Sequence, residues 1–314
     1  MDIPYEVLTM GRVGVDLYPE QSGVPLAEVR SFAKSLGGSP TNVAVGAARL
    51  GHRSAVITKV GDDGFGAYVR HALRAFGVDD RFVGTHATLR TPVVFAELDP
   101  PESPSILFYR EPKAPDLELS VDELHREAIR SARTFWTSGT GLSEEPSRAA
   151  TLAALEARGR APMTIHDLDY RPAFWPSREE AREAQRLALE RATVAIGNQG
   201  EVAVAVGEGE PHEQAARLLG LGPGLAIVKL GADGVLGATA DGLVRVPPVP
   251  VRVVCALGAG DAFGAAVCHG LLAGWDLERA LRFANAAGAY VAGQLACADA
   301  MPTEKQVLAM MPDP

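Results

Sequence analysis

The chain has 314 residues, 47% of them hydrophobic, and a formal net charge of −9. That length can bury a large core, the acidic balance speaks against a nucleic-acid surface, and no apolar run reaches the ~18 residues a spanning helix needs. Cys255, Cys268 and Cys297 lack C-x-x-C spacing and the N-terminus lacks a secretory pattern, so reduced thiols, no zinc site and a cytoplasmic protein are expected.

Taken in chain order, β-like runs fall near 5–10, 12–17, 54–60, 133–138, 163–167, 193–196 and 225–230, and most lead into a helical stretch. This rhythm predicts an α/β fold: a doubly wound, mostly parallel sheet with helices on both faces. The exception is roughly 80–111, where Arg81-Phe82-Val83, Pro92 to Leu98 and Ser105 to Arg110 follow one another without a helix. With part of 12–33 these predict a small β-sheet lid, Pro100 to Pro104 forming a turn within it. Val235 to Val246 predicts a hairpin turning at Asp241-Gly242. There is no internal repeat or low-complexity segment, and residues 1–314 are expected to form one domain. Neither G-x-x-x-x-G-K-[ST] nor a G-x-G-x-x-G after the first strand is present, so any nucleotide would have to be held another way.

Two glycine-rich turns stand out. Leu257-Gly258-Ala259-Gly260-Asp261 precedes a helix-forming run through Leu272. Free backbone N–H groups at that helix start favour a phosphate, and Gly258 and Gly260 let it approach without a Cβ in the way. Asp261 sits where a transferred phosphoryl group and its acceptor would meet, or else only caps its helix. Leu36-Gly37-Gly38-Ser39-Pro40-Thr41-Asn42 opens a second Ala-rich helix ending at Leu50-Gly51. Together with Gly11 to Pro19, Gly61-Asp62-Asp63-Gly64-Phe65-Gly66, Asn198-Gln199-Gly200-Glu201 and Lys229 to Gly234, these segments resemble the ribokinase-like carbohydrate kinases of the PfkB family along nearly the whole chain.

That resemblance implies a ribokinase-like kinase using ATP and Mg²⁺. Gly258, Ala259 and Gly260 would receive the transferring phosphate, and Asp261 would accept the proton of the substrate hydroxyl. The helix N-terminus is expected to keep that carboxyl low. Asn198 and Glu201 would hold Mg²⁺ through its water shell, their other reading being a helix cap. Lys229, Gly231 and Gly234 would lie on the nucleotide side, with adenine near Asn285 in what is otherwise an Ala-rich packing helix. Asp16, Gly37, Gly38 and Asn42 would grip the sugar. Asp16 could equally be a solvated strand-end carboxylate, and Asn42 a polar helix-start residue. Many family members begin the second glycine motif with Asp-Thr, whose Asp helps hold a monovalent cation. Cys255-Ala256 stands there in this chain, which puts K⁺ activation in question.

Two arginines point to an acidic substrate, because a guanidinium matches a carboxylate with parallel hydrogen bonds. Arg110 ends the third lid segment and Arg171 lies just past a strand end, where α/β sheets place ligands. Their alternatives are a solvated lid-edge charge beside Glu111 and a structural ion pair with Asp167 or Asp169. The resemblance is strongest to the subgroup that phosphorylates the 6-hydroxyl of 5-dehydro-2-deoxygluconate in inositol catabolism. Kinases of 2-dehydro-3-deoxygluconate, fructokinase- or ribokinase-like kinases, and a non-catalytic sugar-acid sensor are the other readings. The edges of the lid suit pairing with a second copy.

Overall fold

The computed structural model describes residues 4–21, 23–98 and 104–311. The strands are β1 (Val7–Met10), β2 (Gly14–Pro19), β3 (Phe32–Gly37), β4 (Ser54–Gly61), β5 (Val83–His86), β6 (Val93–Glu97), β7 (Ser105–Tyr109), β8 (Thr134–Ser138), β9 (Thr164–Asp167), β10 (Val194–Asn198), β11 (Leu225–Lys229), β12 (Val235–Thr239) and β13 (Gly242–Val246). The helices are α1 (Ser39–Arg49), α2 (Gly64–Ala75), α3 (Arg126–Ser131), α4 (Ser147–Arg158), α5 (Arg178–Leu189), α6 (Gln199–Val206), α7 (Pro211–Gly220), α8 (Ala259–Leu272), α9 (Leu277–Ala292) and α10 (Glu304–Met310).

Nine strands form one sheet in the order β13-β12-β11-β10-β9-β8-β1-β4-β5. It is parallel from β11 to β5, and the β12–β13 hairpin runs antiparallel at one edge. Every residue of β1, β4, β8 and β9 is buried, as expected of parallel strands covered on both faces. The chain builds outward from β1 through β4 to β5 and then returns to start again at β8 on the other side of β1. Strand order therefore reverses beside β1, and the crevice at the carboxyl ends of such strands is where this architecture receives ligands. The α8 stretch Ala262 to Gly270 is buried all round, which fixes the start of α8 against that crevice.

The second sheet, in the order β3-β2-β6-β7, stands over the same crevice. Its inner face carries Asp16, Tyr18, Val94, Ala96, Ile106 and Phe108, which line the cavity below. Two expectations about it are corrected. Arg81-Phe82-Val83 does not belong to it: β5 pairs with β4, Val83 opposite Thr58, and extends the main sheet. The lid also takes in all of β3, to Gly37, where the sequence reading stopped at 33. The turn expected at Pro100 to Pro104 falls almost wholly outside the described residues. Among the described residues no helix is long and apolar enough to cross a membrane.

Candidate active site

The turn before α8 is built for close approach. Gly258, the N-cap, has φ +81°, and a Cβ there would lie 2.8 Å from the Cβ and Sγ of Cys297. Only glycine satisfies both demands. The first-turn N–H groups of α8 lack intrahelical partners, and Lys229 Nζ reaches within 3.4 Å of where a Cβ on Gly260 would sit. A cation and a helix N-terminus thus converge on one small space.

Asp261 lies inside the first turn of α8 and does not cap it. Its Oδ2 accepts a 2.7 Å hydrogen bond from Asn42 Nδ2, so a single contact joins the two glycine elements across more than two hundred residues of chain. The expectation of a low carboxyl pKa is overturned. Asp261 is half-buried at the cavity wall, and desolvation there raises its pKa despite the Asn42 bond and the Arg12 charge, with Asp169 adding repulsion. Desolvation outweighs the helix dipole here because the dipole's influence amounts to only part of a charge.

Among the sugar-side candidates, Asp16 lies over Gly37, where a Cβ would sit 2.0 Å from its Oδ1. Burial, partly offset by Arg12 and reinforced by Asp261, pushes Asp16 up to about 6. Gly38 has φ +103° and packs onto the backbone of Arg12, whose carbonyl also accepts a 3.0 Å bond from Thr41 Oγ1. Tyr18 Oη contacts Cys297 Sγ at 2.7 Å and donates to Asp16 Oδ2 at 3.4 Å. Burial holds both the phenol and the thiol well above their ordinary values, so both stay protonated.

One cavity gathers Arg12, Asp16, Gly38, Ser39, Asn42, Arg171, Gly258 and Asp261 under the lid residues Val94, Ala96, Ile106 and Phe108. Nine buried side-chain polar atoms have no hydrogen-bond partner among the described residues, and four of them line this cavity: Arg12 Nε, Ser39 Oγ, Asn42 Oδ1 and Arg171 Nε. Buried polar atoms are rarely left unpaired. Four facing one space is the signature of a site built for a polar ligand.

The nucleotide-side candidates behave differently. Asn198 Oδ1 accepts from Glu201 N at 2.9 Å, and Glu201 Oε2 accepts from Asn198 N at 2.8 Å. Both side chains therefore cap α6, leaving Glu201 Oε1 at 3.8 Å from Arg171 Nη1. Asn285 Nδ2 donates to Pro247 O at 2.9 Å. Gly231 and Gly234 form the turn after β11 with φ +60° and +88°. Lys229 Nζ lies 3.9 Å from Asp167 Oδ1, and the surrounding carboxylates raise its pKa although burial opposes them. Asp167 is raised by burial and then by Glu201, Asp169 and Asp261. Among the described residues no group of three or more His, Cys, Asp or Glu is arranged to hold a metal ion. A hydrated Mg²⁺ bound mainly through water and phosphate needs only one or two carboxylates. The Glu201 oxygen not used in the cap, which has only the Arg171 guanidinium at 3.8 Å, and the surplus negative charge around Asp167 fit such an ion.

The two arginines chosen from the sequence part company. Arg171 lines the cavity and pairs with Asp169 Oδ1 at 3.0 Å, so its ion-pair reading is realised at the cavity wall. Arg110 is absent from the cavity lining. Its Nη2 holds both oxygens of Asp116, at 2.8 and 2.9 Å, and its guanidinium lies 5.3 Å from the Phe174 ring. It is neither solvated nor paired with Glu111. Among the polar cavity residues, Arg12, Tyr18, Ser39 and Cys297 went unassigned in the sequence. Arg12 carried a usable signal, a cation directly after Gly11 at the end of the first strand. Cys297 carried none.

A doubly wound sheet whose strand ends meet a glycine-cradled helix N-terminus, roofed by a small second sheet over a polar cavity, defines a ribokinase-like kinase. The chain belongs to the pfkB family of carbohydrate kinases, which it matches over residues 5–304, and it is a phosphotransferase acting on a sugar hydroxyl. A 5-dehydro-2-deoxygluconokinase from Clostridium tetani is 36% identical over 312 residues, covering 97% of this chain and 92% of its own. One from Shouchella clausii is also 36% identical, covering 98% and 95%. Among solved structures, a protein from E. coli assigned as a ribokinase II, in complex with ATP and Mg²⁺, gives a TM-score of 0.87 at 25% identity and covers 98% of both chains. A fructokinase double mutant from Vibrio cholerae, bound to fructose, ADP and potassium ion, gives 0.87 at 26%, covering 99% of this chain and 100% of its own.

Proposed function

We propose that this protein transfers the γ-phosphate of ATP to the 6-hydroxyl of 5-dehydro-2-deoxygluconate, with residues 1–314 acting as one kinase unit. The observation that carries this reading is the cavity beside Asp261, where two guanidinium nitrogens, a hydroxyl and an amide oxygen are buried without partners. A neutral sugar needs no second cation there, whereas a sugar acid does. The names of the relatives at 36% identity agree.

Asp16 and Asn42 hold substrate hydroxyls, and Asp261 takes the proton of the hydroxyl that attacks. Its raised pKa makes it a better base than an exposed carboxylate. As the substrate oxygen bonds to the terminal phosphorus, the bond to the departing diphosphate breaks and ADP leaves with that oxygen. The N–H groups of the Gly258–Gly260 turn and Lys229 Nζ stabilise the charge on the moving group. Glu201 and Asp167 would hold Mg²⁺ through water, and when bound the ion supplies further charge neutralisation and alignment.

Three buried free cysteines suit a reducing compartment, and we place the protein in the cytoplasm. The outer lid face carries Leu107, Tyr109, Phe32 and Phe95, the last three linked edge to face, and we assign it to a second copy of the chain. A monomeric mass in solution would refute that assignment. The test of function is ADP release with purified protein on 5-dehydro-2-deoxygluconate, 2-dehydro-3-deoxygluconate, fructose and ribose, using Asp261→Asn as blank. Strong preference for the first acid is expected. Preference for the second moves the ketone, and preference for a neutral sugar removes the carboxylate reading. No turnover on any of them returns weight to a sensor.

A further inference from the structure

We propose that Arg12 is the residue that reads the carboxylate of the substrate, a role that neither Arg110 nor Arg171 can fill alone. This rests on the sugar-acid reading above and names the group on which that specificity depends.

The argument is a comparison of what each guanidinium has left to give. An arginine carries five N–H donors in a planar fork and is always charged. Arg110 has both oxygens of Asp116 and a ring to rest on, and it is absent from the cavity lining. Arg171 faces the cavity and its Nε is likewise unpaired among the described residues, but Asp169 holds its Nη2 at 3.0 Å, Glu201 Oε1 lies 3.8 Å from its Nη1, and its side chain is 35% exposed. Arg12 is 10% exposed, and its Nε has no partner. The carboxylate nearest its Nη2 is Asp169 Oδ2 at 4.0 Å, and that oxygen already accepts from Thr140 Oγ1 at 3.0 Å. A buried cation without a close, hydrogen-bonded anion is costly to maintain. A carboxylate entering the cavity would supply that anion.

Position supports the same assignment. Arg12 follows β1, the strand beside which the sheet order reverses. Its backbone is pinned by Gly38 and by Thr41 Oγ1, so the first glycine pair orients this arginine as well as the sugar. Phe108 of the lid lies 5.7 Å from its guanidinium, close enough for a cation–π contact and for the exclusion of water. Asp16 and Asp261 feel its charge, which places it among the substrate-side groups.

The experiment compares kcat/KM for 5-dehydro-2-deoxygluconate and for its neutral analogue, hydroxymethyl replacing the carboxylate, in the wild type and in Arg12→Met, Arg12→Lys and Arg110→Met. Arg12→Met should lower the acid-to-neutral ratio about 100-fold, mostly through KM for the acid. Arg12→Lys keeps the charge without the fork and should lose about tenfold. Arg110→Met should leave the ratio within about threefold. Calorimetric titration of each variant with the acid, without ATP, reports binding independently of turnover, and melting curves identify any variant that has not folded. The proposal is overturned if Arg12→Met and Arg12→Lys slow both substrates equally through kcat, with the acidic limb of the pH profile moved upward. That result would mean Arg12 serves only to keep Asp261 ionised. It is also overturned if the ratio collapses in Arg110→Met instead, and both outcomes leave the sugar-acid kinase standing. Wild-type protein that turns over only the neutral compound overturns the sugar-acid reading and Arg12 together while leaving a sugar kinase, and this is seen before any variant is measured.

Discussion

The two halves of the site spend their polar groups in opposite ways. On the proposed sugar side, Arg12 Nε, Ser39 Oγ, Asn42 Oδ1 and Arg171 Nε are buried with no partner among the described residues. On the nucleotide side, Asn198 and Glu201 cap each other's backbone, Asn285 holds Pro247 O, and Lys229 leans on Asp167. Under the proposed assignment the difference teaches how a sugar kinase can choose its substrate. The proposed nucleotide side is self-satisfied and would rely on backbone and shape. The proposed sugar side keeps unpaired donors and acceptors that a matching substrate would complete, and such polar matching discriminates far more strongly than apolar fit.

The contrast is broken most severely at the point where the halves meet. Asp261→Asn should lower kcat about 10³-fold while leaving ATP affinity nearly unchanged, because the amide fills the same space but cannot take a proton. Isothermal titration with ATP and single-turnover rates separate the two effects. In the wild type, the acidic limb of kcat should lie above the ordinary carboxylate range: Asp261 is raised by burial, and the active form is the deprotonated one.

On the sugar side alone, Asp16→Asn should raise KM for the sugar about 100-fold. The same change should stabilise the empty protein at neutral pH. Asp16 is raised from 3.8 to about 6, so the folded state binds the proton more tightly than the unfolded chain. Stability therefore falls as pH rises through that window. Removing the charge should recover about 1 kcal/mol, seen as a higher melting temperature at pH 7 that vanishes near pH 4.

On the nucleotide side, Glu201→Gln keeps a side chain that can cap α6 but removes its charge. It should raise the Mg²⁺ concentration needed for half-maximal rate about tenfold and leave sugar KM alone. If sugar KM moves instead, the division between halves is wrong. The smallest expected effect is none: replacing K⁺ with a bulky organic cation should not change the rate, since Cys255 is fully buried and uncharged where the family resemblance puts an aspartate in many members.

Much of this architecture was legible in the sequence because glycine and strand rhythm are local signals. Both glycine turns, the parallel strands and the 235–246 hairpin follow from the order of residues. Partner choice is not local. Val83 pairs with Thr58 in the main sheet, and nothing in Arg81-Phe82-Val83 distinguishes that from joining the lid. Arg110 found Asp116 rather than Glu111, a choice between neighbouring carboxylates that only the folded chain makes. The pKa of Asp261 went the wrong way because a helix start can be read from sequence and the depth of burial cannot. Arg12 lay in plain view beside Gly11, but its unspent donors exist only once Asp169 has been taken by Arg171 and Thr140.

The most direct test of the central claim is the ³¹P NMR spectrum, with proton coupling, of the product formed from ATP and 5-dehydro-2-deoxygluconate. A phosphate monoester coupled to a methylene, placed at carbon 6, is the predicted result. Coupling to a single methine proton, or no new monoester while fructose or ribose is phosphorylated, would contradict the account.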